Sequence, residues 1–215
     1  MTRNSMRMTT LAPASVDIGA VQTIRKLFLL LTVATVGALF VFGASRWSYR
    51  LHEAIEWVGL CMIFLCISGR CWCALYIGGR KNSELVMTGP YSISRNPLYV
   101  FSVIGAAGVG AQFGAVSVGL LAGFIAAVVH MLVVRQEERL MLAEHGDTYR
   151  KYLATVPRFL PRFSLWKNVE VLEVRPRMVV TTFVDACFFL AAVPLAESFE
   201  YFQELGYIHV FLRLP

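Results

Sequence analysis

Long charge-free apolar runs, separated by short polar segments, dominate the chain, and their lengths point to helices that cross a bilayer. Positions 27–44 form one such run. At ~1.5 Å per helical residue it approaches the ~30 Å of a hydrocarbon core. Positions 57–77 form a second, interrupted once, at Arg70. Positions 97–134 contain no Lys, Arg, Asp or Glu, which is too long for one span, and small residues crowd 105–114. The pattern there predicts a helical hairpin, one short helix and one full one, turning near 110–113. A last run, 178–196, carries Asp185. The expected fold is all-α: a polytopic membrane helix bundle of about five transmembrane helices, with a short cytoplasmic helical segment.

Composition supports this reading. The chain is 57% hydrophobic and only 16% charged, with a mean hydropathy of +0.60. Soluble domains run near ~45–50% apolar and ~25% charged, so a soluble globule and a disordered chain are both excluded. The net charge of +6 does not call for nucleic acid, because no basic face with interleaved aromatics is present. Basic residues instead collect in the first 26 positions, around Arg80, Lys81 and Arg95, and between Arg135 and Arg177, whereas the tail carries Glu197, Glu200 and Glu204. With the N-terminus inside, five spans place every basic segment in the cytoplasm and the acidic tail outside. The expected location is a bacterial cytoplasmic membrane, with the first span kept as a signal anchor. The expected divisions are an N-terminal segment (1–24), an N-terminal membrane region (25–68), a core (69–162) and a C-terminal extension (163–215). The five cysteines form no C-x-x-C pair and read as small apolar residues of helices.

Chemistry concentrates in three places. The first is Thr88-Gly-Pro-Tyr-Ser-Ile-Ser-Arg95-Asn96-Pro97-Leu98-Tyr99, where a cytoplasmic loop meets the hairpin. Pro97 suits the first turn of a helix. Arg95 and Asn96 then sit at a helix N-terminus, where free N–H groups favour an anion. The second is Glu137-Glu138, at the cytoplasmic exit of the fourth span. The hairpin returns it to the side of Arg95, so Arg, Asn, Tyr and two carboxylates converge at one membrane–water boundary. The third is Gly146-Asp-Thr-Tyr149-Arg-Lys-Tyr152, followed by Val156-Pro157-Arg158. Gly146 is expected to end the helix and 147–153 to form a short helix, with Pro157 and Pro161 breaking the chain beyond it.

The order G-P-Y-x-x-x-R-N-P-x-Y, a hydrophobic hairpin, E-E-x-L, G-x-x-Y-x-x-Y and a P-R element resembles the integral-membrane methyltransferases. That family groups isoprenylcysteine carboxyl methyltransferases with phospholipid N-methyltransferases. Arg70-Cys-Trp72 resembles its arginine–tryptophan element, and the likeness covers about 69–162. Asn96 stands where many members have His, and can hydrogen-bond but not relay a proton.

The resemblance implies S-adenosylmethionine as cofactor and a lipophilic or lipidated acceptor drawn from the membrane lipids. Tyr91, Arg95, Asn96, Pro97, Tyr99, Glu137 and Glu138 are the cofactor-binding candidates: Arg95 for the carboxylate, a glutamate for the ammonium, the tyrosines for the adenosine. Arg95, Glu138 and Arg70 are the catalytic candidates; no metal is expected. A carboxylate acceptor of the isoprenylcysteine type is favoured. A phospholipid amine, which would need Glu137 or Glu138 as base, stays open. So do a non-enzymatic carrier or assembly subunit and a nicotinamide-dependent membrane reductase. Gly105-Ala-Ala-Gly108-Val-Gly110 lacks the strand and soluble helix of a nucleotide loop and reads as helix packing. His130 reads as a packed histidine.

Overall fold

The computed structural model describes residues 41–78 and 85–215, together with Ala34, Gly37 and Ala38. Of the expected span at 27–44, Ala34, Gly37, Ala38 and 41–44 are described, and the rest lies outside the described residues. At its end, Gly43–Ser45 forms a short strand, β1.

Helix α1, Tyr49–Ile77, begins ahead of the apolar run because a polar turn carrying Arg50, Glu53 and Glu56 is continuous with it. It runs unbroken through Arg70, the one charged residue of the expected span. A single turn, α2, Pro90–Ile93, follows. The hairpin comes next, as α3, Pro97–Ala111, and α4, Val116–Thr155. Its turn falls at 112–115, against an expected 110–113. Pro97 occupies the first turn of α3 as its ring geometry requires. Gly146 takes φ 51° and ψ −122°, which breaks α4 and redirects its last turns. An L-residue with a side chain resists that conformation, so this glycine sets the angle at which 147–155 folds over the bundle end.

The last apolar region is α5, Pro176–Cys187, a 3-10 turn, Phe188–Ala191, and α6, Ala192–Glu204. Strand β2, Leu212–Leu214, then pairs in parallel with β1, Gly43 opposite Leu212. These two short strands are the one departure from an all-α architecture among the described residues.

Three helical units are long and apolar enough to cross a membrane: Tyr49–Ile77, Val116–Thr155 and Pro176–Glu204; α3 is apolar but shorter. Helix α1 packs on α3 and α5, and α3 on α4. Trp57, Phe64, Leu120, Phe124 and Phe183 face outward, a display that water would penalise and lipid accepts. The protein is an integral membrane protein.

Between α1 and α3 the backbones nearly touch. A Cβ on Gly59 would strike the Gly108 carbonyl, and one on Gly108 would strike the Gly59 carbonyl. The small-residue stretch of the hairpin therefore serves helix packing. Gly108→Leu is expected to force this crossing apart at a cost of about 1–3 kcal/mol. Thermal unfolding in detergent should show the loss, and an unchanged midpoint would refute the crossing.

The two ends of the bundle are distinct. At one end lie Arg95, Asn96 and the charged second half of α4. At the other, the hairpin turn meets β1, β2 and the start of α1: Ser45 Oγ donates to the Gly114 carbonyl at 2.7 Å, and Gln112 Nε2 to the Glu56 carbonyl at 2.8 Å.

Candidate active site

Segment 157–167 folds back across 89–96 and closes the first end of the bundle. Arg95 N donates to the Pro157 carbonyl at 2.9 Å, Arg162 N to Ile93 at 2.9 Å, and Gly89 N to Lys167 at 2.8 Å. Ser94 Oγ donates to the Phe159 carbonyl, and Lys167 N to Ser92 Oγ. Asn96 Nδ2 donates to the Arg158 carbonyl at 3.2 Å, so this amide fastens the returning chain. Beneath the loop, Tyr149, Tyr152 and Val156 form a buried cluster. Tyr152 donates its hydroxyl to the Tyr91 carbonyl at 2.6 Å. Both tyrosines of the third motif are thus packing residues. Trp72, one turn before the end of α1, stacks on Trp166 of the loop with ring centroids 5.8 Å apart.

Glu138 is the centre of the charged arrangement. Arg158 meets it as a fork, Nη2 to Oε2 at 2.6 Å and Nε to Oε1 at 3.2 Å. Arg95 Nη1 lies 3.4 Å from Oε1, and both side chains are nearly covered, 11% and 10% exposed. Two guanidinium groups therefore share one buried carboxylate. The pairing with Glu138 holds the Arg158 guanidinium charged, above its ordinary range. Glu137, one residue back, accepts from the Tyr99 hydroxyl at 2.9 Å. Tyr99 in turn stacks on His130, centroids 4.7 Å apart. Burial raises the Tyr91 phenol well above its ordinary value, so it stays neutral at physiological pH.

Six of the expected residues, Tyr91, Arg95, Asn96, Tyr99, Glu137 and Glu138, line one cavity of about 100 Å³. Two larger cavities adjoin it. One, about 270 Å³ and almost purely apolar, lies between α3 and α4 and shares Tyr99. The other, about 490 Å³, shares Tyr152 and carries Lys151 and Lys167. Pro97 shapes the start of α3 but does not line the charged cavity. Arg70 does not line it either: its Nη1 donates to Ser102 Oγ at 2.5 Å, within the packing of α1 against α3. Its Nε, like that of Arg95, is buried without a hydrogen-bond partner among the described residues.

The sequence brings Glu138 to the side of Arg95 but does not mark its pairing with Arg158 or the stacking of Trp166 on Trp72. The P-R element was the available signal for Arg158. Nothing in local spacing marks Trp166, because its contact depends on the loop's return.

A helical hairpin thus gathers Arg95, Asn96, Tyr99 and paired glutamates at one end of a membrane bundle. Residues 56–148 match the family model described as phospholipid methyltransferase, and the chain belongs to this family. It is 34% identical over 183 residues to the cobalt-zinc-cadmium resistance protein CzcN of Cupriavidus metallidurans, covering 85% of this chain and 84% of that protein. It is 31% identical over 184 residues to the nickel-cobalt-cadmium resistance protein NccN of Alcaligenes xylosoxydans xylosoxydans, covering 85% and 86%. No solved structure matches.

Proposed function

We propose that the protein transfers a methyl group from S-adenosylmethionine to a lipophilic acceptor held in the membrane. The observation that carries this reading is the meeting of a charged cavity and an apolar one at Tyr99. When bound, the cofactor supplies an electrophilic methyl carbon. The residues present fit it: Arg95 lines the charged cavity, keeps its Nε without a hydrogen-bond partner among the described residues and suits a carboxylate, and Glu137 of the same lining suits an ammonium. The closed part of this cavity is smaller than the ~300–1,000 Å³ of a typical ligand site. The larger cavity beyond Tyr152 supplies the remaining room, and cofactor binding requires the two to merge. This side of the bundle is taken as cytoplasmic, since it holds the basic segments.

The acceptor's chain lies in the apolar cavity between α3 and α4, and its reacting group reaches toward Tyr99. Alignment and exclusion of water are the main contributions of such a site. Glu138 is occupied by Arg95 and Arg158, which leaves it poorly placed to take a proton. That favours a carboxylate acceptor of the isoprenylcysteine type, which is ionised already. A phospholipid amine would need Glu137 as its base. The two relatives are named for metal resistance, and methyl transfer in this chain is proposed to serve the same setting.

The product decides between acceptors. Membranes expressing the protein, given methyl-labelled cofactor, are expected to form a lipophilic methyl ester that releases labelled methanol in mild base. Base-stable label in the lipid fraction would mean N-methylation. No label above membranes lacking the protein would overturn the reading.

A further inference from the structure

At the bundle end away from the charged cavity, three metal-ligating side chains converge. His52 and Glu56 stand one turn apart on α1, and Glu200 comes from α6. His52 Nε2 lies 3.2 Å from Glu56 Oε1 and 3.1 Å from Glu200 Oε1. One donor atom from each of the three residues falls within 4.8 Å of the other two. The site is half-buried, its side chains 18%, 26% and 36% exposed.

The supporting elements are already fixed. Gln112 of the hairpin turn holds the Glu56 carbonyl. The His52 ring lies directly over Gly114, with no room for a side chain between them. Three residues beyond Glu200, Gln203 Nε2 donates to the carbonyls of Val41 and Gly43. Donors thus come from two helices locked to one another through the hairpin turn and β1, which is the preorganisation a metal site needs.

The chemistry selects the class of ion. Calcium and magnesium take oxygen donors, whereas an imidazole nitrogen with two carboxylate oxygens suits zinc and its neighbours. Donors about 2.1 Å from a tetrahedral ion lie about 3.4 Å apart, close to the separations found. Charge points the same way. The other charges acting on Glu56 and Glu200 are those of Glu53, Glu197 and Glu204, all acidic. A divalent cation at the shared donors offsets this acidic surround.

We propose that His52, Glu56 and Glu200 bind one divalent transition-metal ion of the zinc or cobalt type, with water completing the coordination. His52 ligates through Nε2 and keeps its proton on Nδ1. The ion clasps α6 to the start of α1, on the opposite end of the bundle from the charged cavity.

The test uses the full chain, purified with chelator and held in detergent. Titration with zinc chloride is expected to show one equivalent bound with micromolar or tighter affinity. Cobalt chloride should give the intense visible bands of a four-coordinate site. His52→Ala and Glu200→Gln should each weaken zinc binding at least tenfold, and zinc should raise the unfolding temperature of the native protein but not of Glu200→Gln. Glu200→Gln conserves shape and keeps the test intact if His52→Ala fails to fold. Absence of saturable binding would show that the three residues form only a charge-bridged histidine. Undiminished affinity in Glu200→Gln would put the metal elsewhere, and either outcome overturns the proposal.

Discussion

Arg95→Ala is expected to abolish measurable S-adenosylmethionine binding and to lower methyl transfer at least a hundredfold. Arg95 stands at the mouth of α3, its backbone tied to Pro157 and its guanidinium set against Glu138. A hydrogen bond to a charged partner contributes about 1.5–3 kcal/mol, and every ~1.4 kcal/mol is tenfold in affinity. Removing this side chain takes away the donor proposed for the cofactor carboxylate and one of the two cations around Glu138. Arg158 remains on Glu138, so the helix bundle should survive the change. Isothermal titration, with a labelled-methyl assay on the same sample, separates the outcomes. Unchanged cofactor affinity in folded Arg95→Ala protein would remove this site from consideration.

The adjacent glutamates should behave oppositely. Glu138→Ala leaves Arg95 and Arg158 facing each other with no shared carboxylate. Breaking a buried ion pair by deleting one partner costs about 3–5 kcal/mol, so this variant should unfold at a markedly lower temperature. Glu137→Gln keeps an oxygen for the Tyr99 hydroxyl and should fold normally. It should nevertheless raise the KM for S-adenosylmethionine about tenfold, the effect of one lost charge-assisted hydrogen bond. Melting curves and cofactor kinetics on both variants check this. Normal stability in Glu138→Ala, or an unchanged KM in Glu137→Gln, would show the roles to be misassigned.

The elements written in local pattern are the ones the sequence makes legible. The charge-free stretch 97–134 with small residues at its middle forms α3 and α4. Gly146 breaks the long helix where a C-terminal glycine was expected to end it. The convergence of Arg95 with Glu137 and Glu138 follows from the hairpin alone. Hidden features depend on contacts distant in sequence. Segment 157–167 mixes basic and aromatic residues with two prolines, and no periodicity announces that it will lace across 89–96. Arg158, the stronger partner of Glu138, arrives by that route, and it commits Asn96 to a backbone carbonyl. Arg70 looks costly inside a span; a serine on the neighbouring helix accepts its hydrogen bond, so the helix continues. His52 lies ahead of the apolar run and carries no local signal, because Glu200 meets it only once the bundle is assembled.

The stack of Trp72 on Trp166 gives the molecule an optical property. Two indoles with centroids 5.8 Å apart and planes 26° from parallel couple their transition dipoles, so the pair absorbs circularly polarised light as a unit. One indole belongs to helix α1, and the other to segment 157–167, which laces across 89–96. The near-ultraviolet dichroism of the protein therefore encodes the distance between that segment and the bundle, without any added label. The remaining tryptophans, Trp47 and Trp57, lie toward the other end of the bundle, away from this pair.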